Sequence, residues 1–277
     1  MTNVACIQMA SGPNVGANLL EAERLINQAV NQGARLVVLP ENFAIMGKTE
    51  RDKVDVRETE GDGPIQEFLV EQAGRHGIWL VGGTIPLVAD DPNKVRASCL
   101  VYDDKGRQVA RYDKIHLFDD ELVDSGEQYT ESETIEPDDK VVVIDTPFGR
   151  MGLAVCYDLR FPELFRQQLT DGMQILVVPA AFTAITGRAH WEILVRARAI
   201  ENLCYVIAAD QGGYHLNGRE THGHSMVVDP WGIVLNSLAR GPGVVCASID
   251  LDRLETARRN FPTIEHRRLT CLGKPDE

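Results

Sequence analysis

The chain has 277 residues, of which 44% are hydrophobic and 25% are charged, as in globular proteins with one large domain or two small ones. The formal net charge of -13 argues against nucleic acid or an anionic membrane surface as a partner, because phosphate binding relies on Lys and Arg. No apolar run is long enough to span a bilayer and no export signal opens the chain, so the sequence predicts a cytoplasmic protein.

The first half of the chain predicts alternating strands and helices. Predicted strands are residues 3–9, 36–39 and 78–81, and predicted helices are the segment from the N-cap Asn14 to Gly33 and residues 65–76. A hairpin is predicted from residues 97–102 and 108–112, and a second strand pair from residues 141–145 and 151–155.

The second half continues the pattern without a linker or a break in composition. Predicted helices are residues 161–169, 191–203 and 253–259, and predicted strands are residues 175–178, 205–209, 226–229, 233–235 and 244–249. These features predict a single domain over residues 1–277, in which residues 261–277 form an irregular tail that contacts a neighbouring subunit.

Residues 33–43 and 172–182 form a weak internal repeat. Both segments have a Gly, a buried strand, a Pro and a Phe at identical offsets. Two such helix–strand units fit two packed sheets with helices outside, which is a four-layer αββα sandwich of the α/β class.

The six cysteines carry no Cys-x-x-Cys pair, and most fall in or beside apolar strands, so reduced thiols are expected. Cys156 differs, because it lies between an uncharged strand-like run and Pro162, which suits the first turn of a helix. A helix N-terminus favours ionisation of a nearby thiol and stabilises a developing anion. Since free cysteines are usually buried for structural reasons, a nucleophile also requires a base and an oxyanion partner.

Three charged residues are candidates for these partners. Glu41 follows Pro40 at the end of a central strand, where it serves either as a base or as a cap or salt-bridge partner. Lys114 shares one face of an extended segment with Tyr112 and His116 and points either toward a site or toward water. Glu131 lies in an acidic loop and, taken alone, is typical of surface charge.

Three stretches that contain these residues resemble the signature motifs of the nitrilase, or carbon–nitrogen hydrolase, superfamily. They are Pro-Glu-Asn-Phe at 40–43, Tyr-Asp-Lys-Ile-His-Leu-Phe at 112–118, and Gly-Leu-Ala-Val-Cys-Tyr-Asp-Leu-Arg-Phe-Pro-Glu at 152–163. They occur in the family's order, and the similarity extends over nearly the whole chain. The resemblance implies an αββα sandwich that forms homodimers or larger homo-oligomers and uses neither a metal nor a cofactor.

The resemblance also implies a catalytic triad of Glu41, Lys114 and Cys156, with Glu131 as a second glutamate that holds Lys114. Glu127 and Glu133 lie close enough to leave this last assignment open. In the implied chemistry, the cysteine attacks an amide carbonyl and forms a thioester.

Further stretches, at 161–164, 181–192, 196–202 and 223–232, are similar to deaminated glutathione amidases and less so to ω-amidases. The implied substrate is a small amide that carries carboxylates. The residues expected to bind it are Tyr157, Arg160, Phe182, Thr183, Thr186 and Arg188.

The sequence is also compatible with other functions. An ω-amidase would release ammonia from 2-oxoglutaramate or 2-oxosuccinamate, and a non-catalytic binding or assembly protein could use the same fold, with the helix at 191–203 as an interface. A zinc site at His215, His222 and His224 lacks a thiolate companion. A serine nucleophile in the 223–227 segment lacks the closing glycine of a nucleophile elbow, so both are disfavoured.

Overall fold

The computed structural model describes residues 1–122 and 127–269. Two β-sheets pack face to face, and helices cover the outer face of each, as the sequence predicts. The strands are β1 (Thr2–Gln8), β2 (Leu36–Val38), β3 (Trp79–Val81), β4 (Ile85–Val88), β5 (Val95–Tyr102), β6 (Gln108–Asp113), β7 (Asp119–Leu122), β8 (Glu127–Thr130), β9 (Val143–Thr146), β10 (Gly149–Leu153), β11 (Ile175–Ala180), β12 (Tyr205–Asp210), β13 (Ser225–Val228), β14 (Val234–Leu238) and β15 (Gly243–Ile249).

The helices surround these sheets. They are α1 (Val15–Asn31), α2 (Asp52–Asp55), α3 (Pro64–His76), α4 (Pro162–Thr170), α5 (Ala184–Thr186), α6 (Glu192–Asn202) and α7 (Leu251–Asn260). Short 3-10 turns span Glu131–Glu133 and Cys156–Arg160, and a π-helical turn, Gly187–Trp191, leads into α6. In the described residues no helix is both long and apolar enough to cross a membrane.

The two sheets are built alike. The first has the order β15-β1-β2-β3-β5-β4, with β6 also paired to β5, and its strands β1, β2 and β3 are parallel. The second has the order β14-β13-β12-β11-β10-β9, and β10, β11 and β12 are parallel. The internally similar segments therefore supply the middle strand of each parallel trio, β2 and β11.

Apolar side chains fill three layers. Val38, Cys99 and Ile207 belong to the layer between the sheets. A second layer lies between the first sheet and the helices α1 and α3, where Leu25 and Leu69 are buried. The third lies between the second sheet and the helices α4 and α6. Each sheet is thus buried on both faces, which explains the uncharged runs of its central strands.

Local capping residues begin and end the helices where the sequence predicts. The Asn14 side chain accepts a hydrogen bond from the backbone N–H of Ala17 at 2.9 Å and caps α1. Gly77 ends α3 in the left-handed conformation, at φ +59°.

Among the strands, β4 and the β7–β8 hairpin were not predicted. Strand β4 is short, contains Pro86 and lies at a sheet edge, where the missing N–H of proline is tolerated. The β7–β8 hairpin has no apolar alternation, because β7 reads Asp-Asp-Glu-Leu. Of the predicted irregular tail, residues 261–269 follow α7 as turns and coil, and residues 270–277 lie outside the described part of the chain.

Candidate active site

A buried ammonium lies between two carboxylates at one end of the sandwich. Lys114 Nζ donates to Glu41 Oε1 at 2.9 Å and to Glu131 Oε1 and Oε2 at 3.0 and 2.7 Å. Lys114 is 0% exposed and Glu41 is 3% exposed. Burial by itself lowers the pKa of the Lys114 ammonium, but Glu131 and Glu41 together outweigh it and raise that pKa well above 10.5. The lysine therefore carries a fixed positive charge.

The backbone around Glu41 is held tightly where β2 ends. Gly83 has φ +57°, and a Cβ atom there would lie 2.1 Å from the Pro40 carbonyl oxygen, so only glycine allows this close approach. The side chain of Gln211, which follows β12 of the second sheet, donates to the Glu41 carbonyl oxygen at 3.0 Å. Both sheets therefore help to position this carboxylate.

Glu131 is the acidic residue of its loop that reaches Lys114. Its Oε2 also accepts the backbone N–H of Phe118 at 2.9 Å, which fixes the carboxylate against the irregular segment that follows Lys114. Glu133 is exposed, and the side chain of Glu127 lies outside the described residues. The geometry therefore supports Glu131 among the acids that the sequence left open.

Cys156 begins the 3-10 turn and has an unusual backbone. Its φ of +48° lies in the left-handed region, and its side chain keeps partial solvent access. Burial raises the pKa of the Cys156 thiol well above its usual 9.0, the charge of Glu41 adds to this effect, and Lys114 opposes it.

The expectation that a helix N-terminus makes this thiol easy to ionise is therefore wrong. The α4 helix begins only at Pro162, and the 3-10 turn between it and Cys156 is short. Desolvation and the neighbouring carboxylate have the larger effect, so the resting thiol is neutral and requires a base to remove its proton.

A small pocket, with a cavity volume of about 20 Å³, opens at Cys156. Its lining residues are Phe118, Cys156, Tyr157, Arg160, Ala181, Phe182, Thr183 and Thr186. This set includes five of the six predicted substrate-binding residues together with the nucleophile candidate. Arg188 is not among them, because it is exposed and its Nε donates to the Ala184 carbonyl oxygen at 3.0 Å.

Arg160 is the cation of this pocket. Its guanidinium carbon lies 5.6 Å from the ring centroid of Tyr157 and 5.3 Å from that of Phe182. Its Nη1 is 3.2 Å from His190 Nδ1, and no ion pair within the described residues involves Arg160. An arginine without a carboxylate partner, in a chain of net charge -13, is suited to an anionic ligand.

Sequence reasoning missed three residues of this region. Phe118 and Ala181 line the pocket but have no chemistry that a motif could indicate. Asp210 is fully buried at the end of β12, accepts the backbone N–H of Phe182 at 2.8 Å, and has a pKa that burial raises well above 3.8. Its place after an apolar strand, like that of Glu41, is the signal that could have found it.

The three histidines that the sequence offers as zinc ligands make other contacts. Both ring nitrogens of His215 are in hydrogen bonds, to the Ser11 carbonyl oxygen and the Thr221 hydroxyl, each at 2.8 Å. His222 and His224 stack with their ring centroids 4.4 Å apart. Within residues 1–122 and 127–269, no three potential ligands are grouped to hold a metal ion.

The αββα sandwich therefore holds the Glu–Lys–Glu cluster close enough to Cys156 for its charges to act on the thiol. The model of the carbon-nitrogen hydrolase family matches residues 3–259, and the chain belongs to this family. It is therefore a hydrolase of carbon–nitrogen bonds, of the amidase type.

Curated relatives align over nearly the whole chain. The chain is 42% identical over 274 residues to the deaminated glutathione amidase of Yersinia enterocolitica, covering 99% of this chain and 95% of that protein. It is 45% identical over 266 residues to the deaminated glutathione amidase of Synechocystis sp., covering 95% of this chain and 97% of the relative.

Solved structures share the fold. The Saccharomyces cerevisiae protein Nit3, a member of branch 10 of the nitrilase superfamily, matches with a TM-score of 0.86 and 31% identity over 97% of each chain. The C. elegans NitFhit protein matches with a TM-score of 0.87 and 38% identity, over 96% of this chain and 65% of that one.

Proposed function

We propose that the protein hydrolyses the amide of deaminated glutathione to give 2-oxoglutarate and cysteinylglycine, with Glu41, Lys114, Cys156 and Glu131 as its catalytic residues. The observation that carries the proposal is the buried contact of Lys114 with both glutamates beside a partly exposed thiol. Relatives that align over at least 95% of the chain and bear the name deaminated glutathione amidase support the choice of substrate.

The first half of the reaction forms a thioester. Glu41 takes the proton of the neutral Cys156 thiol, and the sulfur attacks the amide carbon as the carbonyl electrons move to oxygen. Lys114 supplies a charge that remains positive at alkaline pH, and the Tyr157 backbone N–H is the second proposed donor to this oxyanion. When the tetrahedral intermediate collapses, the carbon–nitrogen bond breaks and Glu41 returns its proton to the leaving amine.

The second half releases the acid. Glu41 takes a proton from a water molecule, which attacks the thioester carbon, and the carbon–sulfur bond then breaks. The thiolate of Cys156 regains a proton, so each cycle consumes one amide and one water. Glu131 keeps Lys114 charged and in place, because its two oxygens lie 3.0 and 2.7 Å from Nζ.

The pocket suits the acyl part of such a substrate. Arg160 provides a positive charge that no acidic residue of the described chain neutralises. The Thr183 and Thr186 hydroxyls hydrogen-bond to each other at 2.8 Å, which leaves one of them free to donate to a ligand. In the proposal, Arg160 pairs with a carboxylate of the 2-oxo acid, while Tyr157 and Phe182 enclose its carbon chain. Arg188 is proposed to act from outside the pocket, through its charge.

The protein is further proposed to work as a homodimer or larger homo-oligomer in the cytoplasm. Ile193 and Ile200 lie two turns apart on α6 and are 68% and 49% exposed, and Trp231 and Phe261 pack edge to face nearby. Arg196 ties this helix to the Trp231 turn by donating to the Gly232 carbonyl oxygen at 2.9 Å. A second copy of the chain would bury this apolar strip, and free cysteines suit a reducing compartment.

The test compares kcat/KM for deaminated glutathione with that for 2-oxoglutaramate and 2-oxosuccinamate. We expect deaminated glutathione to be preferred, and Cys156→Ala to reduce its hydrolysis by about 10³-fold or more. The matched control is Cys246→Ala, which removes a partly exposed thiol far from Lys114 in sequence. Preference for the ω-amides would indicate an ω-amidase, and hydrolysis of no amide would indicate a binding protein.

Light scattering tests the assembly. The wild-type mass should be at least twice that of one chain, and Trp231→Ser should shift the distribution toward monomer at low micromolar concentration. A monomer in the wild type would overturn this part of the proposal.

A further inference from the structure

One fully buried carboxylate connects the nucleophile turn to the segment that carries Lys114. Asp158 lies two residues after Cys156 and is 0% exposed. Its Oδ2 accepts the Tyr112 hydroxyl at 2.6 Å and the backbone N–H of Val155 at 2.8 Å. Its Oδ1 accepts the backbone N–H of His116 at 3.0 Å and lies 2.7 Å from His116 Nδ1.

These partners lie close in sequence to Lys114 and Cys156, the proposed oxyanion donor and nucleophile. Tyr112 and His116 lie two residues before and two residues after Lys114, and Val155 immediately precedes Cys156. The carboxylate therefore fixes the backbone on both sides of Lys114 and the backbone immediately before Cys156. Charge-assisted hydrogen bonds of this length are among the stronger and more directional ones in proteins.

The backbone of Cys156 needs such support. A non-glycine residue at φ +48° is in a strained conformation that persists only when its surroundings over-determine it. Asp158 accepts the N–H of the residue before this position, and the 3-10 bond from the Asp158 N–H to the Val155 carbonyl oxygen, at 3.0 Å, closes the same turn. His116 is in turn held by a parallel stack on Phe161, with the ring centroids 3.8 Å apart.

From this arrangement we infer that Asp158 is a positioning residue that sets the distance between the Cys156 sulfur and the Lys114 ammonium. The inference rests on the proposed roles of those two residues. Asp158 does not contact substrate in this assignment, and acts only through the groups that it orients. A misplacement of about 1 Å between reacting groups costs on the order of 100-fold in rate. Buried hydrogen bonds that fix the position of these groups therefore affect kcat directly.

Conservative variants separate the effect of the Asp158 hydrogen bonds from the effect of side-chain packing. Tyr112→Phe keeps the buried ring and removes one donor. His116→Phe keeps a ring that can stack on Phe161 and removes the Nδ1 contact, whereas His116→Asn keeps a donor near the Nδ1 position and loses the ring. Asp158→Asn keeps the size of the side chain but replaces one acceptor oxygen with a donor.

The matched control is Asp113→Asn. Asp113 is a buried carboxylate at the end of the strand that precedes Lys114, but it accepts hydrogen bonds from Ser98 and Arg111 and, among the described residues, none from the nucleophile turn. Asp113→Asn and Asp158→Asn each neutralise a buried carboxylate in the same region, and only Asp158→Asn should affect the Cys156–Lys114 geometry.

The experiment measures kcat and KM for the amide, the second-order rate of Cys156 alkylation by iodoacetamide, and the melting temperature of each variant. We expect Asp158→Asn to lower kcat by about 100-fold with little change in KM, and to slow Cys156 alkylation by about tenfold. Tyr112→Phe and His116→Phe should each lower kcat by about tenfold, and His116→Asn should recover part of that loss. Asp113→Asn should leave both rates near wild type.

Two results would overturn the inference. One is an Asp158→Asn protein that remains folded and retains wild-type kcat and alkylation rate. The other is a loss that follows melting temperature alone and is matched by Asp113→Asn. Because alkylation needs no substrate, it tests the positioning role even if deaminated glutathione is not hydrolysed, so the two proposals fail separately.

Discussion

The assignment of Glu131 leads to the most specific prediction. Glu131→Gln keeps the size of the side chain but removes one of the two charges that hold Lys114. At an effective dielectric constant of about 20, a charge pair separated by 2.7 Å is worth about 6 kcal/mol, and the lost cost of burying the carboxylate offsets part of this. Because Glu41 still pairs with the ammonium, we expect the free energy of unfolding to fall by about 3 kcal/mol.

Turnover should fall as well. Without Glu131, the pKa of Lys114 drops and the ammonium depends on Glu41 alone, which makes Glu41 a poorer proton acceptor for Cys156. We expect kcat to decrease by about 10²-fold or more, as when one oxyanion donor is misplaced.

Urea unfolding and steady-state hydrolysis measure these two effects. The control is Glu133→Gln in the same 3-10 turn, where the side chain is exposed, and it should change the unfolding free energy by less than about 0.5 kcal/mol. Near-normal activity in Glu131→Gln, or a loss of activity in Glu133→Gln, would refute this account of how Lys114 is held.

Three further predictions test the surroundings of the site. Gly83→Ala should cost about 3 kcal/mol of stability and displace Glu41, since the new Cβ would lie 2.1 Å from the Pro40 carbonyl oxygen. Burial lowers the pKa of His222 to about 4, so the folded protein should lose about 2 kcal/mol between pH 6.5 and 4.5, where the unfolded histidine gains its proton, and His222→Phe should remove that loss. Iodoacetamide at mild pH should label Cys156 before any other cysteine, because this neutral thiol has solvent access and Glu41 can accept its proton as the sulfur attacks.

Each of these three predictions has a control within the same chain. Gly61→Ala also places a side chain at positive φ, at +83°, but in open space, so a cost above about 1 kcal/mol there would weaken the steric argument for Gly83. For His222, the denaturation midpoint of the wild type should fall more between pH 6.5 and pH 4.5 than that of His222→Phe. An equal fall in both proteins would mean that another group titrates. Cys246 is partly exposed like Cys156, and equal labelling of the two, mapped by mass spectrometry, would contradict an activated nucleophile.

The order of elements could be predicted from the sequence because the middle of each central strand is an uncharged run buried on both faces and flanked by glycine or proline. The segments at 36–39 and 175–178 became the middle strands of the two parallel trios for this reason. Edge elements carry weaker signals: β4 contains a proline and β7 is acidic, so neither has a pattern that distinguishes it from a loop.

The sequence by itself also determined which residue types form the site, since Glu41, Lys114 and Cys156 stand in motifs with characteristic neighbours. Only the tertiary structure decided which acid holds Lys114 and in which state the thiol rests. Glu41 and Glu131 lie 73 and 17 positions from Lys114, and their electrostatic effects depend on separations of about 3 Å and on burial. The distances between these charges and their burial from water are set only when the two sheets pack together. They therefore cannot be predicted from the sequence alone.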